Sequence, residues 1–147
     1  MTTNEELEHL LRIAAEVEIP KAIFQLASAT DDGDLADFEA LLTKDVVFEM
    51  AGIKVHGVDA ILAAMYQRRA AGTTGPGSGT QHVLSNIEVV ITEVNNALAQ
   101  SVWQFFTEKD GVNYPSLNGT YHDHWILELD GWRIAERQVV TASAVQA

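Results

Sequence analysis

The stretch WILELDGWRIAERQVV, residues 125–140, decides the class of fold. Two runs of β-forming residues flank the pair Asp130-Gly131, and Asp-Gly between two such runs is the strongest hairpin signal in the chain. Upstream, turn-forming residues at 95–96 and 109–111 divide the chain into further segments of the same character. The strands predicted from these turns are 82–94, 97–108, 112–129 and 132–140. The second half of the chain is therefore expected to form consecutive antiparallel strands.

The first third of the chain has helical spacing instead. Apolar residues recur there at intervals of three and four, which marks one face of a helix. The first apolar face consists of Leu7, Leu10, Leu11, Ala14 and Val17. Pro20 interrupts this pattern, so we expect a kink or a new helix start near residues 18–20. After the turn at residues 31–34, Asp34 suits the N-cap of a short second helix.

The spacing changes again after this second helix. Residues 45–50 are rich in β-forming types, and a turn at 51–52 leads into a short strand at 53–56. Residues 57–71 return to helical spacing. They are followed by a loop over residues 72–79, which has four glycines, one proline and no apolar side chain. We expect this loop to be mobile, because little burial opposes its conformational entropy.

Helices that precede a run of hairpin-linked strands indicate the α+β class. We expect N-terminal helices packed on a strongly curved, mostly antiparallel sheet, with an internal pocket between the two layers. The length of 147 residues fits a single domain.

The composition limits the class of function. The chain carries 9 Lys and Arg against 21 Asp and Glu, a formal net charge of −12 at pH 7. The few cations are scattered, so we expect neither a nucleic acid nor an anionic membrane as a partner. The absence of cysteine excludes disulfides, thiolate catalysis and Cys-ligated metal centres. The first ten residues lack the layout of a signal peptide, and no apolar run approaches the ~20 residues of a membrane helix, so we expect a cytoplasmic protein.

The histidines are the first candidates for chemistry. His82 opens a strand directly after the glycine loop, and Asp31 ends a helix just before a turn. A carboxylate paired with an imidazole fixes its tautomer and raises its basicity, which a general base near neutral pH requires. Asp31 and His82 are therefore the catalytic candidates. Their spacing alone does not show whether they meet.

A second group of candidates lies late in the sheet. His122 and His124 are two residues apart on a predicted strand, so both side chains point to one face and Asp123 points to the other. Two imidazoles without a third ligand do not make a metal site, so we expect no metal. Aromatic residues on nearly every element favour an apolar cavity for a neutral cyclic molecule. The residues expected to bind this substrate are Phe48, Tyr66, Trp103, Tyr121, His122 and Asp123.

Several segments point to a known family. They are Ala29-Thr30-Asp31-Asp32-Gly33-Asp34, Asp45-Val46-Val47-Phe48, Gly57-Val58-Asp59-Ala60-Ile61, Thr80-Gln81-His82, Gly119-Thr120-Tyr121-His122-Asp123, and Asp130-Gly131-Trp132-Arg133-Ile134 with Arg137. Together they resemble the nuclear-transport-factor-2-like (NTF2-like) superfamily, in its polyketide-cyclase (SnoaL-like) and scytalone-dehydratase-like branch. The resemblance implies one domain over residues 1–147, with a core at 20–141. It also implies a cone-shaped, cystatin-like barrel with an internal pocket.

The resemblance also implies site residues. In the dehydratase and dehydrochlorinase members, an Asp at the end of the first long helix orients a His that removes a substrate proton, and Asp31 and His82 match these positions. The scytalone-dehydratase type has a Tyr where this chain has Thr30, and a second His on the next strand, where residues 103–107 hold none. The cyclase type uses an Asp late in the sheet as its base, and Asp123 matches that position.

Three functions follow as alternatives. The first is a cofactor-independent, dehydratase-like lyase or isomerase that acts on a small cyclic apolar substrate through Asp31 and His82. The second is an aldol-type polyketide cyclase with Asp123 as its base. The third is a non-catalytic module that binds a small hydrophobic ligand or dimerises. We expect no cofactor, and apolar residues on both sides of the strands favour a homodimer through the outer face of the sheet.

Overall fold

The computed structural model describes residues 3–142. Its helices are α1 (Asn4–Asp31), α2 (Leu35–Glu39) and α3 (Val58–Ala70). Its strands are β1 (Leu42–Met50), β2 (Ile53–His56), β3 (Gln81–Glu93), β4 (Asn96–Lys109), β5 (Val112–Glu128) and β6 (Gly131–Thr141). Helices dominate the first half and strands the second, so the predicted α+β class is confirmed.

The six strands form one curved sheet in the order β2-β1-β6-β5-β4-β3. All neighbours are antiparallel except β1 and β6, which run parallel with Phe48 opposite Arg137. Within residues 3–142 the sheet stays open, with β2 and β3 at its edges. The helices cover one face of the sheet, the inner face, which carries Trp103 and Tyr121. The outer face carries Leu98 and His122.

The hairpin that the sequence predicted before β6 is present, but its turn is one residue earlier than expected. Glu128 pairs with Gly131, so the two connecting residues are Leu129 and Asp130. Gly131 is the first residue of β6, with φ 133, a conformation that other L residues rarely adopt. An Asp-Gly pair does form the turn between β4 and β5, where Asp110-Gly111 has φ angles of 53 and 77.

Helix α1 runs without a break through Pro20, so no new helix starts near residues 18–20. It begins in a capping box, in which the Thr3 hydroxyl accepts from the Glu6 N–H and the Glu6 carboxylate accepts from the Thr3 N–H. Pro20 removes one backbone donor, but Ile19 before it and Ala22 and Ile23 after it are buried. This packing holds the helix together across the proline.

The apolar face predicted for residues 7–17 of α1 is not the one that packs. Leu7, Leu10 and Val17 are 51%, 56% and 64% exposed. The buried face consists of Ala15, Ile19, Ala22, Ile23, Leu26 and Ala29. Three of its alanines, at 15, 22 and 29, are seven residues apart in the chain, and their small side chains let the helix approach the sheet closely. Despite the exposed apolar residues, no helix among residues 3–142 is long and apolar enough to cross a membrane.

The core lies between the helices and the inner face. Trp125, Ile134 and Val46 are fully buried there and come from three different strands. Burial of each such side chain contributes about 1.5–3 kcal/mol. The Ile134 N–H also donates to the Leu41 carbonyl at 2.9 Å, which ties the chain after α2 to the last strand. The predicted arrangement of helices on a curved, mostly antiparallel sheet is confirmed.

Gly119 on β5 is a position where the packing leaves no room for a side chain. A Cβ there would overlap the Val140 carbonyl oxygen and lie 2.8 Å from Trp103 Cζ2. We expect Gly119→Ala to lower the free energy of unfolding by about 3 kcal/mol or more, because β6 or the indole must move. Urea denaturation measures this loss. Gly52→Ala is the control, with a positive φ but nothing within 4 Å of its Cβ, and should lose only about 1 kcal/mol; equal losses would contradict the steric account.

Candidate active site

The end of α1 and the start of β3 bring Asp31 and His82 together. Asp31 Oδ1 lies 2.7 Å from His82 Nδ1, and Asp31 Oδ2 accepts a hydrogen bond of 2.8 Å from the His82 backbone N–H. One carboxylate therefore holds both the main chain and the ring of the same residue. The contact that the sequence left open is present.

This arrangement decides which ring nitrogen is free to act. When Nδ1–H of His82 is donated to the carboxylate, the lone pair on Nε2 remains available. The Phe105 ring packs beside the imidazole, with 4.9 Å between the ring centroids. The side chains of His82 and Asp31 are 17% and 11% exposed, so the pair remains in contact with solvent. A neutral imidazole held in this way can accept a proton from a bound molecule.

Tyr121 and Trp103 continue the inner face on β5 and β4. Their rings are stacked, with centroids 5.9 Å apart. The guanidinium carbon of Arg137 lies 3.9 Å from the centre of the Tyr121 ring, in a cation–π contact. Burial raises the pKa of Tyr121 above its ordinary value, because it disfavours the phenolate, and the Arg137 charge opposes this only in part. Tyr121 is therefore a neutral hydroxyl at physiological pH.

The carboxylate of Asp123 is fully engaged by Arg137. Both of its oxygens accept hydrogen bonds of 2.8 Å, from Nε and Nη2 of the guanidinium, and the Asp123 side chain has no exposed surface. A general base must reach the substrate proton, and protonating this carboxylate would leave a buried cation without its partner. This geometry corrects the interpretation of Asp123 as the base of a cyclase. It also leaves Asp123 no surface with which to bind a substrate.

Two other residues predicted to bind the substrate are exposed. Tyr66 on α3 is 59% exposed. His122 is exposed on the outer face, where its Nε2 lies 3.1 Å from Thr120 Oγ1. Because neighbouring residues of a strand point to opposite faces, the side chains of His122 and Asp123 lie on different faces of the sheet. Among residues 3–142, no three His, Asp or Glu side chains converge as a metal site requires.

The remaining predicted substrate-binding residues share the inner face. The centre of the Phe48 ring lies 5.8 Å from the guanidinium carbon of Arg137, and Tyr121 and Trp103 follow on the next strands. Ser101 Oγ and Trp103 Nε1 are buried on β4 without hydrogen-bond partners among the described residues. The inner face thus combines aromatic rings with a few polar groups beside the Asp31–His82 pair.

Sequence reasoning missed Arg137 as a buried residue of this face. Strict alternation from the buried Ile134 would turn Glu136 inward. A shift in the pairing of β5 with β6, between His124 and Trp125, turns Arg137 inward instead and leaves Glu136 exposed. The local sequence carries no signal for this shift.

The loop of residues 72–79 lies between α3 and β3 and is more constrained than the sequence suggested. The Thr73 N–H donates to the Arg68 carbonyl at 2.9 Å, and the Ser78 hydroxyl donates to the Gly75 carbonyl at 2.7 Å. Thr74 and Gly75 are buried. Glycine-rich composition therefore coexists here with internal hydrogen bonds and burial.

Helices over the inner face of a curved six-stranded sheet define the class of α+β proteins with an NTF2-like, cystatin-like fold. An NTF2-like protein with a cystatin-like fold from Novosphingobium aromaticivorans superposes with a TM-score of 0.81 and 22% identity, over 98% of this chain and 93% of that one. A proposed scytalone dehydratase from the same organism superposes with a TM-score of 0.72 and 19% identity, over 90% of this chain and 87% of that one. LinA superposes with a TM-score of 0.75 and 11% identity, over 95% of this chain and 97% of that one.

The sequence matches the SnoaL-like domain family over residues 11–138. This match spans most of the chain, so the protein belongs to the SnoaL-like domain family, and the resemblance inferred from the sequence segments is confirmed. No curated protein matches the sequence. At the identities given above, structural similarity shows the fold alone, so the reaction has to be argued from the site.

The raised pKa of Tyr121 predicts a loss of stability at alkaline pH. The unfolded chain ionises near the ordinary tyrosine pKa of about 10, and the folded protein ionises later, so this contribution to stability is complete below pH ~10 and is lost as the pH rises through the folded value. We expect the alkaline fall in the free energy of unfolding to be smaller in Tyr121→Phe than in the wild type. Urea denaturation at several pH values measures it. Tyr66→Phe, at an exposed tyrosine, is the control, and an equal fall in all three proteins would count against a raised pKa of Tyr121.

Proposed function

We propose that this protein is a cofactor-independent lyase or isomerase of the dehydratase type, in which His82 is the general base and Asp31 orients it. The observation that carries the proposal is the double contact of one carboxylate with the ring and the backbone of His82. That contact leaves Nε2 free and keeps its direction constant. The substrate class is a small, largely apolar ring, because Phe48, Phe105 and Trp103 lie on the same face.

The proposed dehydration balances without an external acid or base. His82 Nε2 takes a proton from a carbon next to a carbonyl group. The electron pair of that C–H bond becomes the new double bond as a neighbouring hydroxyl leaves with its bonding electrons. The imidazolium then gives its proton to the departing oxygen, which forms water and restores neutral His82. In an isomerisation, the same proton returns to a different carbon of the substrate.

Two further groups support this chemistry. Asp31 stabilises the imidazolium while it exists, because its carboxylate lies 2.7 Å from Nδ1. The Tyr121 hydroxyl stays protonated and is suited to donate a hydrogen bond to a carbonyl oxygen that gains negative charge. One similar structure is named as a proposed scytalone dehydratase, which supports the dehydration class.

Substitution of the pair tests the proposal. The probe is 3-hydroxycyclohexanone, which loses water to a conjugated enone that is followed by ultraviolet absorbance. We expect His82→Gln and Asp31→Asn each to lower kcat/KM by about 10²–10⁴-fold, because the first removes the base and the second its orienting charge. His56→Gln, at an exposed position on β2, should leave kcat/KM unchanged.

Two results would contradict the proposed mechanism. Turnover that survives in His82→Gln would remove His82 from the mechanism. If the wild type converts none of a panel of 3-hydroxy cyclic ketones but binds cyclohexanone, the non-catalytic ligand-binding function is the better account. Calorimetric titration with cyclohexanone distinguishes these cases.

We propose in addition that two copies of the chain associate through the outer face of the sheet. Val90 and Leu98 are directly paired across β3 and β4 and are 61% and 51% exposed. They line a shallow groove of about 550 Å³ whose other walls are mostly polar. An exposed apolar pair on an uncovered sheet face gains free energy when a second copy covers it.

A charge in this apolar pair should prevent the association. We expect Leu98→Glu to be monomeric at micromolar concentration where the wild type is dimeric, because a buried carboxylate without a partner is costly. Sedimentation velocity measures the masses. Val94→Glu is the matched control, since Val94 is 69% exposed but lies in the turn between β3 and β4. A monomeric wild type, or a dimer that Leu98→Glu leaves intact, would refute the outer-face dimer.

A further inference from the structure

Arg69, near the end of α3, reaches across to the C-terminal end of α1. Its Nη2 donates hydrogen bonds to the carbonyl oxygens of Ala29, Thr30 and Gly33, at 2.7, 3.3 and 2.8 Å. These three residues stand on both sides of Asp31 in the sequence. One guanidinium group therefore holds the backbone from which the Asp31 side chain projects.

The end of α1 needs such a partner from elsewhere in the fold. The last carbonyls of a helix have no intrahelical donors and carry partial negative charge. Helix α1 has no basic residue in its last turn, and Asp31 and Asp32 add two carboxylates there. Arg69 supplies from another helix the donors and the positive charge that the local sequence lacks.

The loop of residues 72–79 packs directly on the Arg69 side chain. A Cβ on Gly75 would lie 2.9 Å from Arg69 Cγ and 3.0 Å from its Nε, and Gly75 has φ +93. Arg69 Nε is buried without a hydrogen-bond partner among the described residues. A buried donor left unpaired lowers stability, so the guanidinium gives up the hydrogen bond of Nε while its Nη2 bonds three carbonyls. Its placement matches the carbonyls around Asp31.

We propose that Arg69 is a positioning residue for the Asp31–His82 pair. By holding the carbonyls before and after Asp31, it sets the distance and direction of the carboxylate toward His82, and Gly75 keeps it in place by letting the loop close over it. Its effect on a reaction rate rests on the proposed function. Its effect on the geometry of the pair does not.

Hydrogen exchange gives a measurement that is independent of activity. The His82 backbone N–H donates to Asp31 Oδ2, so its exchange rate reports directly on this contact. We expect Arg69→Met to speed the exchange of that amide at least about tenfold relative to the amide of the buried Trp125, because the hydrogen bond to a charged group is weakened. Asp31→Ala sets the upper limit, and Arg69→Lys, which keeps the charge, should lie between.

A second variant reaches the same contact from the loop. Gly75→Ala should displace the Arg69 side chain and speed the exchange of the His82 amide in the same direction. Gly77→Ala is its matched control in the same loop, with φ +80 but nothing within 4 Å of its Cβ, and should leave the ratio of the His82 and Trp125 rates unchanged. The comparison of Gly75→Ala with Gly77→Ala separates loss of the His82–Asp31 contact from the backbone strain that both substitutions share.

Two results of the exchange measurement would overturn the inference. If the His82 amide exchanges at the wild-type rate in Arg69→Met and Gly75→Ala, the inference is overturned. Equal acceleration at Trp125 would also overturn it, because that result means general destabilisation. With 3-hydroxycyclohexanone as substrate, we expect Arg69→Met to lower kcat about tenfold or more and to leave KM nearly unchanged. Failure of the wild type to turn over this substrate would count against the proposed function alone, since the exchange result stands by itself.

Discussion

The parallel pairing of β1 with β6 holds the two halves of this chain together. Leu42 pairs with Ile134 and Phe48 with Arg137, so the first strand lies beside the last. Parallel neighbours require a long connection, and here it contains β2, α3 and three further strands. Without this pairing, the hairpin of β1 and β2 would be separate from the sheet. The inner face would then lose Phe48, and the core would lose Val46.

Two aspartates show how the fold assigns different roles to one residue type. Asp31 sits at the edge of the helical layer, partly exposed, with one imidazole as its partner. Asp123 lies at the centre of the sheet with both oxygens on Arg137 and no exposed surface. The first can stabilise a proton that comes and goes, whereas the second is committed to a buried charge pair. Under the proposed function, acid–base chemistry takes place at the end of the inner face where α1 meets β3.

Helix α1 shows why periodicity predicts an element more reliably than its orientation. Apolar residues lie on two sides of the helix, and both sides have helical spacing. The sheet packs against the side on which Ala15, Ala22 and Ala29 allow close approach, and Leu10 and Val17 remain exposed on the other. Which side is buried depends on the shape of the sheet, which is built from residues much later in the chain.

The sequence by itself determined the elements, the α+β class, the family and the identity of Asp31 and His82 as a candidate pair, because these depend on local spacing and short segments. The tertiary structure decided which side chains share a face. A shift in the pairing of β5 with β6 turned Arg137 inward, and hydrogen bonds from Arg69 on α3 reached the backbone on both sides of Asp31. One displaced residue in a strand reverses the face of every residue after it, and contacts between distant helices leave no local pattern. Strand alternation did separate His122 from Asp123, but only the folded sheet showed that Asp123 was the buried one.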